Sequence, residues 1–323
     1  MPRDTQPLFV QKHLLILGCG YLGQYVAREA LWRGMRVTAL TRNETHAVAL
    51  RAQGLGVIVA DLASEDWHAL APREVDYVLN CVSSGAASAA ARAALSPASA
   101  SEDKLAARRR SYVDGMRSLT RWLRDAERVG TIVYTSSTSV YPQGGGAVVD
   151  EDSPTVPPDT NTRAGILTAA EQRLQRDCPP APKRWFILRL AGLYGPGRSH
   201  LLDQVLKNAP SLGPVSQRLN LVHVEDAAAA IWAAFAAPAT FANRVYNVAD
   251  DAPAPKCEVL TWLAEQVGPI SPDSAKTATV SAAQRSSRQV LDRIISNVRL
   301  KREIGWQPRY PDYRAGYAKM LSH

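Results

Sequence analysis

An apolar run that ends in regularly spaced glycines constrains the fold of this chain more than any other stretch. Residues 13–17 read HLLIL, and the letters GCGYLG follow directly. A short apolar run bounded by glycine is typical of a buried parallel strand. Gly18, Gly20 and Gly23 match the spacing G-x-G-x-x-G. In this motif the first glycine allows a tight turn, the second lets the backbone approach a pyrophosphate, and the third lets a helix pack closely on the strand. We therefore expect a strand, a phosphate-binding turn and a helix whose amino terminus faces the phosphates.

The residues after the glycine turn complete a β-α-β unit. Residues 21–32 (YLGQYVAREALW) space their apolar side chains with a helical period, Gly34 ends the helix, and residues 36–41 (RVTALT) predict a second strand. Glycines at this spacing are also compatible with a simple turn, but the complete unit of about thirty residues favours dinucleotide binding. Tyr21 and Leu22 lie inside the motif, so we include them with the three glycines in the predicted cofactor site.

Composition argues against several classes of protein. The chain has 323 residues, enough for one large α/β unit with a smaller appended region. Its four cysteines, Cys19, Cys81, Cys178 and Cys257, include no C-x-x-C pair, which argues against a zinc site and a disulfide framework. No apolar run reaches about eighteen residues, and the amino terminus lacks the apolar region of a signal peptide. We therefore expect a cytoplasmic protein without a metal site or a membrane partner.

The net charge of +8 raises the question of nucleic acid binding. The basic residues are spread along the chain, and the one run of three is Arg108 to Arg110. A solvated helix face explains this run, and an anionic cofactor accounts for part of the remaining excess. We therefore expect no nucleic acid partner; the opposite hypothesis predicts binding that depends steeply on salt.

Two strand ends carry residues that suit the adenosine half of a dinucleotide. Arg42 follows the second strand, about twenty residues beyond the glycine turn, where an acidic residue would bind the ribose of NAD and an arginine can pair with the 2′-phosphate of NADP. The alternative for Arg42 is an exposed arginine at a strand end. Residues 57–60 (VIVA) predict a third strand that ends at Asp61 and Leu62. A carboxylate there can accept a hydrogen bond from the adenine amino group. We place these three residues in a site for NADP, with NAD as the alternative cofactor.

The fourth strand adds two more candidates. Residues 75–82 (VDYVLNCV) predict it, and Ser83, Ser84 and Gly85 lie at its carboxyl end, where ligands bind in open α/β sheets. We include Cys81 and Ser83 in the cofactor site; the alternative for Cys81 is a small buried hydrophobic residue. Residues 86–101 are almost all alanine and serine, which suits either a flexible flap over the cofactor or a passive insertion.

The remaining elements continue the alternation of helix and strand. We expect a long helix at 104–128, a fifth strand at 131–137, a helix at 162–176, a sixth strand at 184–190, a strand at 219–224 whose following alanine-rich helix returns the chain to the sheet, and a last strand at 244–248. Residues 1–191 and 219–248 then form a nucleotide-binding domain. Residues 192–218 and 249–323 form a smaller lobe over the strand ends.

Seven stretches together point to a family. They are GCGYLG, the Asp61-Leu62 pair, SSTSVYP, LRLAGLYGPG, LVHVEDAAAAI, VYNV and EIGWQPRYPDY, and they cover nearly the whole chain in the family's order. In this combination the chain resembles the extended short-chain dehydrogenase/reductase family, and more closely an atypical bacterial branch of NAD-dependent epimerase/dehydratase proteins. The resemblance implies a doubly wound parallel Rossmann sheet that binds NAD(P), with a substrate held between this sheet and a smaller C-terminal lobe.

The resemblance also implies catalytic positions, two of which differ here. The family's serine lies four positions before the tyrosine of a V-Y-G turn, and the letters VYP occupy that turn, which makes Ser137 the family's serine. The family's Y-x-x-x-K pair lies on the next helix. With Glu171 as the reference glutamate, Arg163 takes the tyrosine position and Leu167 the lysine position. Leu167 can neither activate a tyrosine nor bind the nicotinamide ribose. Arg163 can hold an oxyanion or a phosphate but should not shuttle protons.

Other polar residues are candidates to replace the missing proton donor, namely Tyr141, Thr160, Thr162, Tyr194 and His200. We include Tyr141 with Ser137 and Arg163 in the predicted catalytic set. Each candidate has a structural alternative, because the two tyrosines belong to turns, the two threonines can cap a helix, and the histidine can begin one. His223 and Asp226 are expected to be strand-end and helix-cap residues.

Two functions from different classes remain. The first is an NADP(H)-dependent oxidoreductase, epimerase or dehydratase that acts on a hydroxylated or carbonyl small molecule, with a nucleotide sugar as one option. The second is a sensor that binds NADP(H) and has lost turnover, which the missing tyrosine and lysine favour. We expect a small-molecule substrate and a monomer or homodimer.

Overall fold

The glycine turn lies between a fully buried strand and a helix, with the bounds that its spacing predicts. The computed structural model describes residues 9–83, 97–180, 183–207, 209, 215–268 and 291–322. Strand β1 (His13–Leu17) is buried along its whole length. Helix α1 (Tyr21–Trp32) begins directly after Gly20, and strand β2 (Arg36–Thr41) pairs with β1 in parallel. The predicted β-α-β unit is therefore present.

Further strands and helices follow along the chain. The strands are β3 (Gly56–Val59), β4 (Glu74–Asn80), β5 (Arg128–Ser137), β6 (Ala147–Val149), β7 (Arg184–Leu190), β8 (Gly192–Tyr194), β9 (Arg218–Leu219), β10 (Leu221–His223), β11 (Arg244–Val248), β12 (Ala254–Pro255) and β13 (Arg293–Ile295). The helices are α2 (Glu44–Ala52), α3 (Pro97–Arg109), α4 (Gly115–Asp125), α5 (Arg163–Asp177), α6 (His200–Leu206), α7 (Val224–Ala236), α8 (Lys256–Val267), α9 (Val298–Ile304) and α10 (Tyr313–Leu321). A π-helical turn (Arg110–Asp114) joins α3 to α4, and a 3-10 turn (Thr138–Val140) follows β5.

Seven strands form one large sheet in the order β11-β7-β5-β4-β1-β2-β3. The neighbours β3, β2, β1, β4 and β5 pair in parallel. The chain first builds the sheet outwards from β1 to β3, then returns to the other side of β1 at β4. This reversal is the mark of a doubly wound α/β sheet and confirms the predicted Rossmann class. Ligands in such sheets bind beyond the carboxyl ends of the strands at the point of reversal.

The chain divides into two compact units. The first comprises Met1–Tyr141, Pro154–Arg189 and Ala228–Tyr246, and the second comprises Pro142–Ser153, Leu190–Ala227 and Asn247–His323. The core of the first unit joins strand residues to the inner faces of α4 and α5. Its buried members include Leu15, Leu17, Val78, Ile132, Leu119, Leu123, Ala170 and Leu174. Each fully buried leucine or isoleucine there contributes about 1.5–3 kcal/mol relative to exposure.

The second unit has a smaller core built around aromatic side chains. Tyr194 stacks on Tyr317 with ring centroids 4.7 Å apart, and Leu201, Val259 and Leu263 pack against them. Helix α10 approaches so closely that a Cβ on Gly316 would lie 1.9 Å from the Tyr194 hydroxyl oxygen. Glycine is therefore required at residue 316 for this packing.

Two predicted helices have bounds that are wrong. The helix expected at 104–128 begins earlier, at Pro97, is interrupted by the π-helical turn and ends at Asp125. It ends there because Arg128 already belongs to β5, where its backbone N–H donates to the Arg73 carbonyl. The helix expected at 162–176 is shifted by one residue at each end. At its start Thr162 is the cap and not the first helical residue, since the Thr162 hydroxyl accepts the N–H of Gly165 at 3.1 Å.

The prediction that residues 219–224 form one strand of the large sheet is also wrong. The segment forms two short strands, of which β9 pairs with β12 and β10 pairs with β8. Asn220 separates them, because its carbonyl accepts the Gly192 N–H and its side chain bonds the backbone of Arg293 and Ile295. Helix α7 does lead to β11, the last strand of the large sheet, although β12 and β13 follow outside it. Of the predicted flap, 86–96 lie outside the described residues and 97–101 begin α3.

A buried ion pair connects several elements of the first unit. Glu171 on α5 and Arg189 on β7 lie 2.7 Å apart, with side chains only 2% and 7% exposed. The Ser136 hydroxyl at the end of β5 donates to the same carboxylate. Arg189 also donates to the Tyr141 hydroxyl at 2.7 Å. Burial opposes the charge of Arg189, but the neighbouring Glu171 outweighs it and raises the pKa of the guanidinium.

Replacing Glu171 with glutamine should destabilise the first unit by about 3 kcal/mol or more, because the buried charge of Arg189 loses its counter-ion. Urea unfolding measures the change. Arg176→Ala is the matched control, since Arg176 pairs with Asp177 at the exposed end of the same helix and should leave the free energy of unfolding nearly unchanged. Equal unfolding midpoints for Glu171→Gln and the unmodified protein would contradict the importance of the pair.

Candidate functional site

The three glycines of the turn have different surroundings. Gly18 has a φ of 86°, and a Cβ there would lie 2.6 Å from the Val82 Cα. A Cβ on Gly23 would lie 3.0 Å from the Gly18 carbonyl oxygen and 3.2 Å from the Cys81 sulfur. A Cβ on Gly20, by contrast, would meet no atom within 4 Å. The first and third glycines are thus explained by packing within the protein, whereas Gly20 leaves space on the outer side of the turn. Such open space at the second glycine is what the motif needs for its backbone to approach a pyrophosphate.

A pocket of about 500 Å³ opens beside this turn. Five segments line it: the turn itself, the end of β2 with the start of α2, the residues after β3, the residues after β4, and the π-helical turn. The lining residues are Gly18, Cys19, Gly20, Leu40, Thr41, Arg42, Asn43, Glu44, Thr45, His46, Asp61, Leu62, Val82, Ser83 and Ser111. Six of the ten predicted cofactor residues therefore surround one cavity, namely Gly18, Gly20, Arg42, Asp61, Leu62 and Ser83.

The other four predicted cofactor residues lie outside this lining. Leu22 is buried within α1, and Tyr21 is half-buried with its ring 5.6 Å from that of Tyr25. Gly23 and Cys81 lie beneath the turn, where the Cys81 thiol donates to the Gly18 carbonyl at 3.1 Å. Cys81 thus supports the turn from the sheet side.

The rim of the pocket at the end of β2 carries a positive charge. Arg42 is exposed there, between Thr41 and Asn43. The Thr41 hydroxyl accepts the Asn43 N–H at 3.2 Å, and the Asn43 side chain accepts the His46 N–H at 2.9 Å and so caps α2. These hydrogen bonds fix the backbone on either side of Arg42. The carboxylate of Glu44, which also lines the pocket, pairs with Arg51 at 3.4 Å.

Asp61 is the second carboxylate of the pocket lining, beside Glu44. Burial favours its neutral form, but the Ala63 N–H, the Arg110 guanidinium and the charge of Arg42 outweigh burial and lower the pKa of the carboxyl. Asp61 is therefore ionised at neutral pH and can accept hydrogen bonds. The two cysteines behave differently, because burial raises the pKa of the Cys19 thiol to about 12 and also raises that of Cys81. Neither thiol is a nucleophile near neutral pH.

The predicted catalytic residues Ser137 and Arg163 lie on elements that contact each other. Ser137 ends β5 half-buried, and its hydroxyl accepts the Ser139 N–H at 3.2 Å. Arg163 is exposed at the first position of α5, and this helix packs against the 3-10 turn that follows Ser137. Leu167, one turn further along α5, is 2% exposed. It belongs to the packed side of the helix and offers no polar group.

Tyr141, the third member of the predicted catalytic set, is fully buried. Its hydroxyl accepts a hydrogen bond from Arg189, whose guanidinium lies 4.9 Å from the ring centroid. These contacts give Tyr141 a packing role beside the Glu171–Arg189 pair. Its catalytic role stays a prediction. Thr162 caps α5. Thr160 packs against the start of the same helix, since a Cβ on Gly165 would lie 2.2 Å from the Thr160 carbonyl oxygen.

The remaining polar candidates belong to the second unit. Tyr194 is packed in its core, and His200 is the first residue of α6. His223 is 1% exposed, its Nδ1 accepts the Glu225 N–H at 3.3 Å, and burial lowers its pKa. Asp226 accepts the backbone N–H groups of Arg309 and Tyr310, so it anchors that later segment and does not cap its own helix. Burial nevertheless raises the pKa of Asp226 to about 6.

Sequence reasoning missed Ser111, which is buried and lines the pocket. Its letters, RRRSYV, carry no motif, and it lies in the π-helical turn, which the sequence does not predict. Two further searches cover the described part of the chain. There, no three His, Cys, Asp or Glu side chains form a cluster suited to a metal ion. Within the same ranges, no helix is both long and apolar enough to cross a membrane.

Known proteins with similar sequences or structures include reductases and dehydratases. Protein YeeZ of Escherichia coli strain K12 is 28% identical over 306 residues, which cover 93% of this chain and 97% of YeeZ. The 3-diazoavenalumate denitrifying reductase of a Streptomyces species is 27% identical over 224 residues, covering 65% of this chain and 71% of that protein. The dTDP-glucose 4,6-dehydratase DesIV of Streptomyces venezuelae, solved with NAD bound, superposes with a TM-score of 0.72. It is 18% identical, with 96% of each chain covered, a likeness that concerns the fold.

The sequence of this chain also matches one protein family over most of its length. The match spans residues 14–249, from the first strand through the end of β11. It includes the glycine turn, the pocket residues and the segment that carries Ser137 and Arg163. The chain therefore belongs to the NAD dependent epimerase/dehydratase family.

Proposed function

We propose that this protein is an NADP(H)-dependent oxidoreductase that acts on a hydroxylated or carbonyl small molecule. The observation that carries the proposal is the pocket beside the glycine turn, with space at Gly20 and Arg42 at its rim. Membership of the family supports a nicotinamide cofactor, and similarity to a protein named as a reductase supports hydride transfer. A nucleotide sugar is one substrate of the proposed class.

Three parts of the cofactor have a candidate binding group in this pocket: the pyrophosphate, the 2′-phosphate and the adenine. The backbone at Gly18 and Gly20 would hold the pyrophosphate, since Gly20 adds no side chain to cap α1. Arg42 would pair with the 2′-phosphate, and no carboxylate occupies residues 41–43 to favour the ribose of NAD. Asp61 would accept from the adenine amino group, beside Leu62. When bound, the cofactor supplies or accepts a hydride.

The protein's own contribution to the chemistry is positioning and charge. The Ser137 hydroxyl would hydrogen-bond the reacting oxygen of the substrate. Arg163 would stabilise negative charge on that oxygen, because a guanidinium stays protonated and offers several donors. Both groups have room to do so, since Arg163 is exposed and Ser137 is half-buried.

A cofactor-binding sensor without turnover is the second candidate. The specific observation that favours it is Leu167, which is buried where the family resemblance implies a lysine. The two candidates share the cofactor site and differ in whether a substrate is converted. We further propose a cytoplasmic location and a monomer or homodimer. All four cysteines are free, which supports a reducing compartment.

Gly20→Val should abolish binding of NADP(H) while the protein stays folded, because the added side chain fills the space at the turn and meets no protein atom within 4 Å of its Cβ. Calorimetric titration with NADPH tests the first part and thermal unfolding the second. Gly23→Val is the contrasting variant and should lower the melting temperature, since its Cβ would crowd the Gly18 carbonyl. Unchanged NADPH affinity in Gly20→Val would rule out the pyrophosphate assignment.

Arg42→Ala should remove most of a preference for NADP over NAD that we expect to be about tenfold or larger, since a charge-assisted pair to a phosphate contributes up to a few kcal/mol. Titration of both dinucleotides into both proteins measures the ratio. Arg36→Ala removes an equal charge from the opposite end of β2 and should leave the ratio unchanged. Tighter binding of NAD than of NADP by the unmodified protein would refute the assignment.

Ser137→Ala should lower turnover by about 10²–10³ on a converted substrate, as expected when one donor to an oxyanion is lost. Arg163→Lys should retain more activity than Arg163→Leu, because it keeps the charge but not the planar fork. Ser139→Ala is the control for Ser137, since the Ser139 hydroxyl has no hydrogen-bond partner in the described structure. Full turnover in Ser137→Ala would show that the reacting oxygen is bound elsewhere. Tight NADPH binding with no converted substrate would favour the sensor.

A further inference from the structure

The helix that runs from α3 into α4 contacts the turn at residues 61–68 at four successive points. All four contacts lie within the first unit, and they begin at the pocket and run away from it. They are the Arg110–Asp61 ion pair, the close approach of Gly115 to Leu62, the hydrogen bond from the Ser118 hydroxyl to the Ser64 carbonyl, and the Arg121–Glu65 ion pair. The last three also hold this turn on the helix and do not involve Arg110. Of the four, the Arg110 contact is the one that reaches a charged side chain of the pocket lining.

Two consecutive residues of the π-helical turn serve the pocket in different ways. A π-helical turn inserts one extra residue and shifts the direction of the side chains that follow, and such turns are frequent at functional sites. Here it begins at Arg110. Ser111 is 6% exposed and lines the cavity, whereas Arg110 stays exposed and reaches the Asp61 carboxylate at 2.9 Å. The helix thus supplies one group to the wall of the pocket and one to its carboxylate.

The carboxylate of Asp61 is held from both sides. Its Oδ1 accepts the Ala63 N–H at 3.0 Å, and its Oδ2 accepts the Arg110 Nε–H at 2.9 Å. Together these bonds fix the plane of the group. Each carboxylate oxygen has a second lone pair, so Asp61 can still accept a hydrogen bond from a ligand. Because the group is ionised, it can only accept, which makes it selective for donors.

We propose that Arg110 is a positioning residue that makes this pocket select a 6-aminopurine over a 6-oxopurine base in its dinucleotide. This inference rests on the proposed function, in which the pocket holds the adenosine half of the cofactor. A fixed carboxylate receives the amino group of adenine, whereas the 6-oxo group of hypoxanthine presents lone pairs to it and is rejected. Without Arg110 the carboxylate keeps one anchor and turns towards water, so the discrimination falls.

The test compares NADPH with its hypoxanthine analogue, reduced nicotinamide hypoxanthine dinucleotide phosphate. Calorimetric titration of both ligands gives their affinity ratio for each protein. We expect the unmodified protein to prefer NADPH by about tenfold, as for one charge-assisted hydrogen bond. Arg110→Gln should bring the ratio close to one, and Arg110→Lys should retain part of it. Arg109→Gln is the matched control, because it removes a neighbouring exposed charge from the same helix and should keep the full ratio.

A second comparison separates positioning from a general effect on the fold or the charge. Asp61→Asn should also abolish the preference, and the double variant with Arg110→Gln should lose nothing further, because both changes remove the same interaction. A full preference in Arg110→Gln would overturn the proposal, and so would an equal loss of affinity for both ligands. If the unmodified protein binds neither dinucleotide, the proposed function fails as well. If it binds and discriminates without Arg110, only this inference fails.

Discussion

The buried pair of Glu171 and Arg189 is the interaction on which the part of the first unit with the proposed catalytic residues depends. Two buried charges are expensive to desolvate, and a well-packed apolar pair is often equally stable. This pair matters for its geometry. The Glu171 carboxylate, in the middle of α5, contacts Ser136 near the end of β5 and Arg189 near the end of β7. Ser137 is the next residue along β5, and Arg163 begins α5. The positions of both proposed catalytic groups are therefore set by a contact that neither of them makes.

Local patterns in the sequence were sufficient for much of the Rossmann unit. The predicted bounds are confirmed for the glycine turn, β1, α1, β2 and β7. They could be predicted because the burial of a strand and the positive φ of Gly18 depend on residues that are consecutive in the sequence. The break at Asn220 is different. Its side chain accepts a hydrogen bond from the backbone N–H of Ile295, 75 residues later in the chain. No local sequence pattern predicts a contact between residues so far apart. The π-helical turn is of the same kind, since the letters around Arg110 read as an ordinary helix.

For the candidate site, the sequence located the segments better than the side chains. Strand ends meet at one edge of a parallel sheet, so Arg42, Asp61 and Ser83 could be placed around one pocket from spacing alone. Spacing does not show which side of a turn a group occupies. Cys81 lies beneath the glycine turn, and Tyr141 lies in the core beside Arg189. Ser111 lines the pocket from a π-helical turn that no pattern in the sequence predicts.

The distribution of ion pairs around the pocket has a consequence for the rate of ligand capture. Two carboxylates line the cavity, and each is paired with an arginine outside the lining, Glu44 with Arg51 and Asp61 with Arg110. Among the described residues, Arg42 has no such ion-pair partner, so the rim carries an excess positive charge. A fixed charge of this kind attracts anions over roughly one Debye length, about 8 Å at physiological ionic strength. Added salt should therefore lower the association rate of a phosphorylated ligand. The dissociation rate of the same ligand should change far less.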